Sequence, residues 1–380
     1  MEKASFSTGH CQTPEPTVTA LRFHGRGDIR LEQLEPQPCG PDDVRVRVAY
    51  NGICGTDITE YMSGPIFPPQ EGNFHAYTGL SLPVLMGHEF SGTICEVGSN
   101  VNHLEVGEHV VISPAYDHRH HGTEFCEPCK GGKYNICDAS ATVGLNAPGG
   151  GLCSQTVVKA MNCIALSPNV SLKAAALVEP LAIGRHCITA SGFRKGQSAL
   201  ICGAGPIGLA MLLLLRVMGA SKVIVTEVLE KRIAQARKFG ADVVINPTQP
   251  SEDTGLSADE AIQQAVGSGV DVAYDVTGLQ STLDLCIRSA KPGGVIFNVT
   301  IHKKPLLIAL NDLSMKEKKL MGGICYLQED FEVVIGMLAQ GSLNAEQMIS
   351  SIVPLSDVID KGFKELIDNR EGHVKILIKP

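Results

Sequence analysis

Apolar and polar positions follow two different textures along this 380-residue chain. From residue 18 to 50, and again in EHVVISP and CSQTVVKAMNCIAL, they alternate residue by residue, the period of a half-buried strand. The first 175 or so residues are therefore expected to be rich in antiparallel strands. After SLKAAALVEPLAIGRHCITA, which has helical spacing, the order becomes apolar strand, glycine turn and long helix, repeated through SALICGAGPIG, KVIVTEV, DVVIN, DVAYDVTG and GGVIFNVT. Such repetition predicts a parallel sheet covered by helices on both faces. The last 50 residues offer one more helix, EDFEVVIGMLAQG, and a closing strand, HVKILIKP, with no clear sixth repeat. The expectation is an α/β protein: a doubly wound nucleotide domain over residues 179–327, and a strand-rich domain over 1–178 on which 328–380 packs back.

Composition narrows the function classes. Forty glycines and 21 prolines are scattered rather than blocked, which suits many tight turns and excludes low-complexity sequence. The uncharged run Ala199–Leu215 approaches bilayer length, but its glycine and proline interruptions read as strand, turn and helix. A net charge of −8 without any basic run excludes a general nucleic-acid or membrane-surface binder, leaving small molecules or further copies of the chain as partners. The start, MEKASFSTGHCQTPEPTV, lacks the apolar core of an export signal, so a cytoplasmic location is expected. The 13 cysteines then read as thiols and metal ligands rather than a disulfide framework.

LICGAGPIGLAMLLLLRVMG places Gly203, Gly205 and Gly208 as GxGxxG, between an apolar strand and a long helix that opens with Pro206 and Ile207. The first glycine permits the tight turn, the second admits a pyrophosphate, and the third lets helix and strand pack closely. The helix N-terminus then presents unpaired N–H groups to phosphate. Glu227 ends the next strand, where an acid accepts both ribose hydroxyls and repels a 2′-phosphate. NAD is thus expected over NADP. Arg232 is placed either over the adenosine or on a solvated helix face.

A second constellation lies in the strand-rich part. NGICGTDITEY carries Cys54 and Asp57, and LMGHEFSGTICEVGSNV carries His88 and Glu89. Thiolate, imidazole and carboxylate suit a catalytic zinc, which takes three protein ligands and keeps one position open. Gly87-His88-Glu89, Gly92, Gly98 and Val101 form GHExxGx5GxxV. On these motifs, with ALVEPLAIG and GxGxxG following in order, the chain resembles the zinc-dependent medium-chain alcohol and polyol dehydrogenases over essentially its whole length.

The resemblance implies a doubly wound Rossmann nucleotide domain joined to a strand-rich, GroES-like catalytic domain, with the active cleft between them, working as a homodimer or homotetramer. It implies a catalytic zinc held by Cys54, His88 and either Glu89 or Glu179, with Asp57 orienting the imidazole and Thr56 taking the proton of the alcohol. The hydride then passes between NAD and a secondary alcohol or ketone. Many relatives carry histidine five residues after the ligand cysteine; here stands Thr59, which implies an altered pH dependence of activity. The loop EYMSGPIFPPQEGNFHAYTGLSLPV is longer than in many relatives, and its GPIF element is similar to that of 2,3-butanediol dehydrogenases. A small vicinal diol or hydroxyketone is therefore expected as substrate, with a sorbitol-like polyol or a threonine-type β-hydroxy amino acid as alternatives. A non-enzymatic NAD-binding sensor or structural protein on the same fold would need none of the metal-site residues.

Ala115–Cys137 crowds three cysteines and three histidines together. Cys126, Cys129 and Cys137 match the last three positions of the family's structural-zinc pattern CxxCxxCx7C, and Thr123 occupies the first. His118, His120 and His121 precede it, so either one histidine completes a tetrahedral site or three free thiols remain.

Overall fold

The computed structural model describes residues 16–250, 255–302 and 304–380. The amino-terminal stretch read for an export signal lies, up to Glu15, outside the described residues. The chain forms two compact units, one running to Glu179 and resuming over 351–370 and 375–380, the other comprising 180–350 and 371–374. Residues 328–350, expected on the first domain, group with the second unit. Asp330 explains the difference for the helix Gln328–Ala339, since it accepts from His186 at 2.9 Å and from Arg185 at 3.2 Å.

The first unit is built around the strand Asp43–Gly52, which pairs antiparallel with Glu89–Val97, Gln155–Lys159 and Lys375–Lys379. The alternation in DVRVRVAY sends Val44, Val46 and Val48 into one core with Phe90, Ile94 and Ile112. Leu21, Phe23, Ile53, Met86, Leu152, Ile376 and Ile378 belong to a second core. The closing strand does return to the first unit, with Leu377 opposite Gly52.

The second unit is a six-stranded parallel sheet in the order Val243–Ile245, Lys222–Thr226, Ser198–Cys202, Val270–Asp275, Ala290–Asn298 and Lys319–Gly322. Strand order reverses at Ser198–Cys202, the doubly wound arrangement whose switch point opens beside the first strand. The apolar run resolves into that strand and the helix Pro206–Val217. Among the described residues, no helix is long and apolar enough to cross a membrane. The sixth strand escaped the sequence pattern because it lies at the sheet edge with all four residues exposed.

Candidate active site and metal centres

Cys54 follows the central strand and precedes the helix Gly55–Ser63, its backbone N–H donating to Asp57 Oδ2 at 2.9 Å. His88 immediately precedes the neighbouring strand, which Glu89 opens and whose register sets Glu89 opposite Gly52. Gly87 is required here: its φ is +97°, and a Cβ would come within 2.7 Å of Asn51 Oδ1 and Leu152 N. Strand pairing thereby brings one ligand atom each from Cys54, His88 and Glu89 within 4.8 Å of one another. The donor set, one thiol, one imidazole and one carboxylate, fits zinc with a coordination position left over.

Asp57, fully buried, stands behind the imidazole with Oδ1 3.4 Å from His88 Nδ1, which leaves Nε2 as the nitrogen to face a metal. Burial pulls the His88 imidazole down, but the Asp57 carboxylate and the Cys54 sulfur outweigh it and hold it well above its ordinary value. Thr56 lies half-buried in the first turn of the helix, and Thr59 donates its hydroxyl to Gly55 O at 2.9 Å. Glu179 is buried in the first turn of Val178–Ala190 and stands outside the 4.8 Å group.

Sequence reasoning missed Lys375. Its Nζ donates to both Glu89 oxygens, at 2.8 and 2.7 Å, and to Ile53 O at 3.2 Å, with only 3% of the side chain exposed. Burial alone would lower the ammonium, yet Glu89, with Cys54 and Glu179 nearby, keeps it above its ordinary value. The available signal was a lysine at an otherwise apolar position of HVKILIKP, since a strand that buries a charge needs a buried counter-charge.

In the second unit the glycine turn has the expected form. Gly203 has φ +115°, and a Cβ on Gly208 would collide with Gly203 O. Gly205 precedes the helix, with Pro206 and Ile207 in its first turn. Glu227, 8% exposed, accepts from Ala204 N at 3.0 Å, Val228 N at 2.7 Å and Leu229 N at 3.1 Å. The acid is thus fixed against the turn. Arg232 Nη1 stands 3.9 Å from Glu227 Oε2, so its side chain lies at the turn rather than on a solvated helix face.

The histidine question in Ala115–Cys137 has a geometric answer. His118 Nδ1 lies 2.9 Å from Cys137 Sγ and 3.7 Å from Cys129 Sγ, and with Cys126 these four offer ligand atoms within 4.8 Å of one another. Asp117 caps the short helix His118–His121 and uses His120, whose Nδ1 accepts from Asp117 N at 3.1 Å while its ring stacks on Tyr116. His121 Nε2 sits 3.1 Å from Ala139 O. Three thiols and one imidazole fit a closed tetrahedral zinc. Ala139 N donates to Cys137 Sγ at 3.3 Å, a bond that suits a thiolate. Eleven described cysteines stand outside any disulfide and Cys95 is disulfide-bonded, a departure from the reading of the cysteines as thiols.

The long loop is fastened at both ends. The Glu60 carboxylate accepts from Ile66 N and Phe67 N at 2.8 Å each, which folds GPIF back on the helix and leaves Ile66 and Phe67 exposed. Further along, Tyr77 packs on His121 with ring centroids 5.2 Å apart, and Thr78 Oγ1 donates to Asn146 O at 2.7 Å.

Two family models match the chain: the alcohol dehydrogenase GroES-like domain over residues 40–168 and the zinc-binding dehydrogenase over 206–340. The chain is 37% identical to an (R,R)-butanediol dehydrogenase of Saccharomyces cerevisiae, over 96% of this chain and 98% of that one. It is 32% identical to human sorbitol dehydrogenase, over 91% and 92% of the two chains. The solved 2R,3R-butanediol dehydrogenase of Bacillus subtilis superposes with a TM-score of 0.87 at 33% identity, covering 96% of this chain and 99% of that one.

Proposed function

The chain belongs to the zinc-binding alcohol dehydrogenases, and from that premise we propose that it interconverts a small vicinal diol and its hydroxyketone, such as 2,3-butanediol and acetoin. It is an enzyme, an oxidoreductase with zinc and NAD as cofactors. The reading rests chiefly on the group Cys54, His88 and Glu89 with Asp57 behind it. When bound, zinc acidifies the alcohol hydroxyl and NAD takes up the hydride.

The chain's own residues supply the rest. Cys54 and His88 hold the metal with a carboxylate, a part assigned to Glu89, which stands in the group, ahead of Glu179, which does not. Asp57 fixes the imidazole, and Lys375 restrains Glu89 through both carboxylate oxygens. Thr56 takes the substrate proton; Thr59, whose hydroxyl donates to Gly55 O, stands where many relatives carry the relay histidine, so the proton leaves either by Thr59 and water or by another route. Gly203, Gly205 and Gly208 with the helix N-terminus receive the pyrophosphate, Glu227 receives the ribose hydroxyls, and Arg232 covers the adenosine. The lobe zinc, on His118, Cys126, Cys129 and Cys137, is structural.

The first unit is taken as the catalytic domain and the second as the NAD domain, in an enzyme placed in the cytoplasm. A homo-oligomer is supported by the uncovered edge strand Lys319–Gly322, with Leu320 and Met321 exposed on it and Leu307, Leu310 and Met315 exposed in the same unit. The similarity to butanediol dehydrogenases and the folded-back GPIF element favour a short diol over a hexitol. The test is NADH formation from 2,3-butanediol, sorbitol and threonine in parallel. The proposal expects the diol to give the highest kcat/KM; a higher value for sorbitol or threonine overturns the substrate assignment.

A further inference from the structure

The helix Gly55–Ser63 has two buried residues, and both are acids, Asp57 and Glu60. Glu60 is 1% exposed and lies one turn beyond Asp57, so the two share a helix face, which Thr56, four residues before Glu60, also borders. The chemistry described above uses Thr56 and Asp57 and gives Glu60 no part. Burial pushes the Glu60 carboxyl above its ordinary value and Asp57 adds to the rise, against the pull of two backbone N–H groups. A carboxylate taken out of water lowers stability unless strong hydrogen bonds offset it, and a helix position selected for packing alone would carry leucine.

Those bonds all go to one segment. Glu60 Oε2 accepts from Ile66 N and Oε1 from Phe67 N, each at 2.8 Å, charge-assisted bonds that hold the backbone of GPIF against the helix. Gly64 fits closely between: it donates to Glu60 O at 2.7 Å, and a Cβ there would run into both Glu60 Oε2 and Glu60 O. The helix end is itself anchored, Gly27 N donating to Tyr61 O at 2.7 Å, Arg26 Nε to Met62 O at 3.0 Å, and the Tyr61 ring standing edge-on to Phe363. With the backbone so fixed, Ile66 and Phe67 turn apolar side chains outward, 56% and 42% exposed. A buried charge thus holds two exposed apolar residues in one place, and it does so from a position about 6 Å along the helix axis from Thr56.

We infer that Glu60 is a positioning residue for substrate choice: through GPIF it sets Ile66 and Phe67 as an apolar wall that accepts the short alkyl ends of a diol and rejects longer ones. The inference deepens the diol reading and rests on it. Glu60 touches neither substrate nor cofactor and acts only through the segment it holds.

The test compares kcat/KM for 2,3-butanediol and 3,4-hexanediol, whose carbon chains differ by one methylene at each end, in the full-length zinc-loaded protein with NAD, alongside hydrogen exchange at the Ile66 and Phe67 amides. Glu60→Gln keeps the size and turns one of the two acceptors into a donor; Gly64→Ala presses on the same carboxylate with Glu60 intact. Each is expected to lower the butanediol-to-hexanediol ratio about tenfold, chiefly through KM, and to speed exchange at both amides. Thr78→Val frees the far end of the loop from Asn146 O and should leave the ratio within about twofold of wild type, since it spares the Glu60 bonds. An unchanged ratio in both variants despite faster exchange, an equal loss for the two diols, or the same fall in Thr78→Val overturns the inference. Should both variants fold poorly, the wild type still decides: Ile66 and Phe67 amides that exchange as fast as an open chain overturn it. A wild type that prefers sorbitol overturns the diol reading alone, and the ratio is then taken between xylitol and sorbitol.

Discussion

Two cysteine–histidine clusters stand in the same unit, and they differ in what would hold them together without a metal. Cys54, His88 and Glu89 are set by strand pairing, and their chain neighbours Ile53, Met86 and Phe90 lie in large apolar cores. The lobe cluster has almost no core apart from its own ligands: Cys129, Cys137 and Ala139 are its buried members, packed by half-buried Cys126 and Tyr134. Its regular structure is equally slight, two four-residue helices, one three-residue helical turn and a pair of two-residue strands. The first cluster is thus preorganised by the fold, and in the proposed function a metal there would serve chemistry. In the second a metal would itself serve as the core, and the proposed function couples folding of the lobe to its binding.

The largest expected effect separates these roles. Cys54→Ser should lower kcat/KM for the diol by about 1,000-fold, the loss of several kcal/mol of transition-state stabilisation, while the melting temperature stays within a few degrees. A collapse of the fold in this variant would show that the first cluster also depends on its metal for structure. Next comes Lys375→Met, which leaves the Glu89 carboxylate buried without its partner and should destabilise the protein by about 3 kcal/mol in denaturant titration. Adding Glu89→Gln should recover part of that loss, because the two residues are directly coupled. Equal, additive losses would deny that the pair acts as a unit.

For the lobe, Cys129→Ser or His118→Ala should release one zinc per chain and expose the segment Ala115–Cys137 to proteolysis. Diol turnover per remaining catalytic zinc is expected to stay within about twofold, because the proposed function gives a lobe metal no part in the chemistry. The smallest effects are expected at the other two histidines: His120→Ala and His121→Ala should keep the full zinc content and cost about 1 kcal/mol or less through lost stacking and hydrogen bonding. A zinc loss in either of them, and none in His118→Ala, would reassign the fourth ligand.

The same contrast decides how much was legible in the sequence. GxGxxG before a helix and GHExxG near a cysteine carry strict backbone demands, and Gly87, Gly203 and Gly208 meet them in the fold as read. The parallel strands were visible wherever both faces are buried. The sixth strand was not, because an edge strand with exposed side chains has no apolar run to betray it. The lobe histidine could not be chosen from spacing, since three candidates stand within four residues and the choice is made by the Asp117 cap and the stacking of His120 on Tyr116. Lys375 lies 286 residues from Glu89, and only the return of the last strand beside Asp43–Gly52 joins them. Long-range pairing of single charges leaves no local period to read.

The most direct test of two metals with divided roles is the zinc-to-chain ratio of the purified wild type, Cys54→Ser and Cys129→Ser, measured together. The account predicts two, one and one, with diol oxidation lost in the Cys54 variant and retained in the Cys129 variant. A wild-type ratio of one that falls to zero in Cys54→Ser and is unchanged in Cys129→Ser would contradict it, leaving the lobe held by thiols and an imidazole without metal.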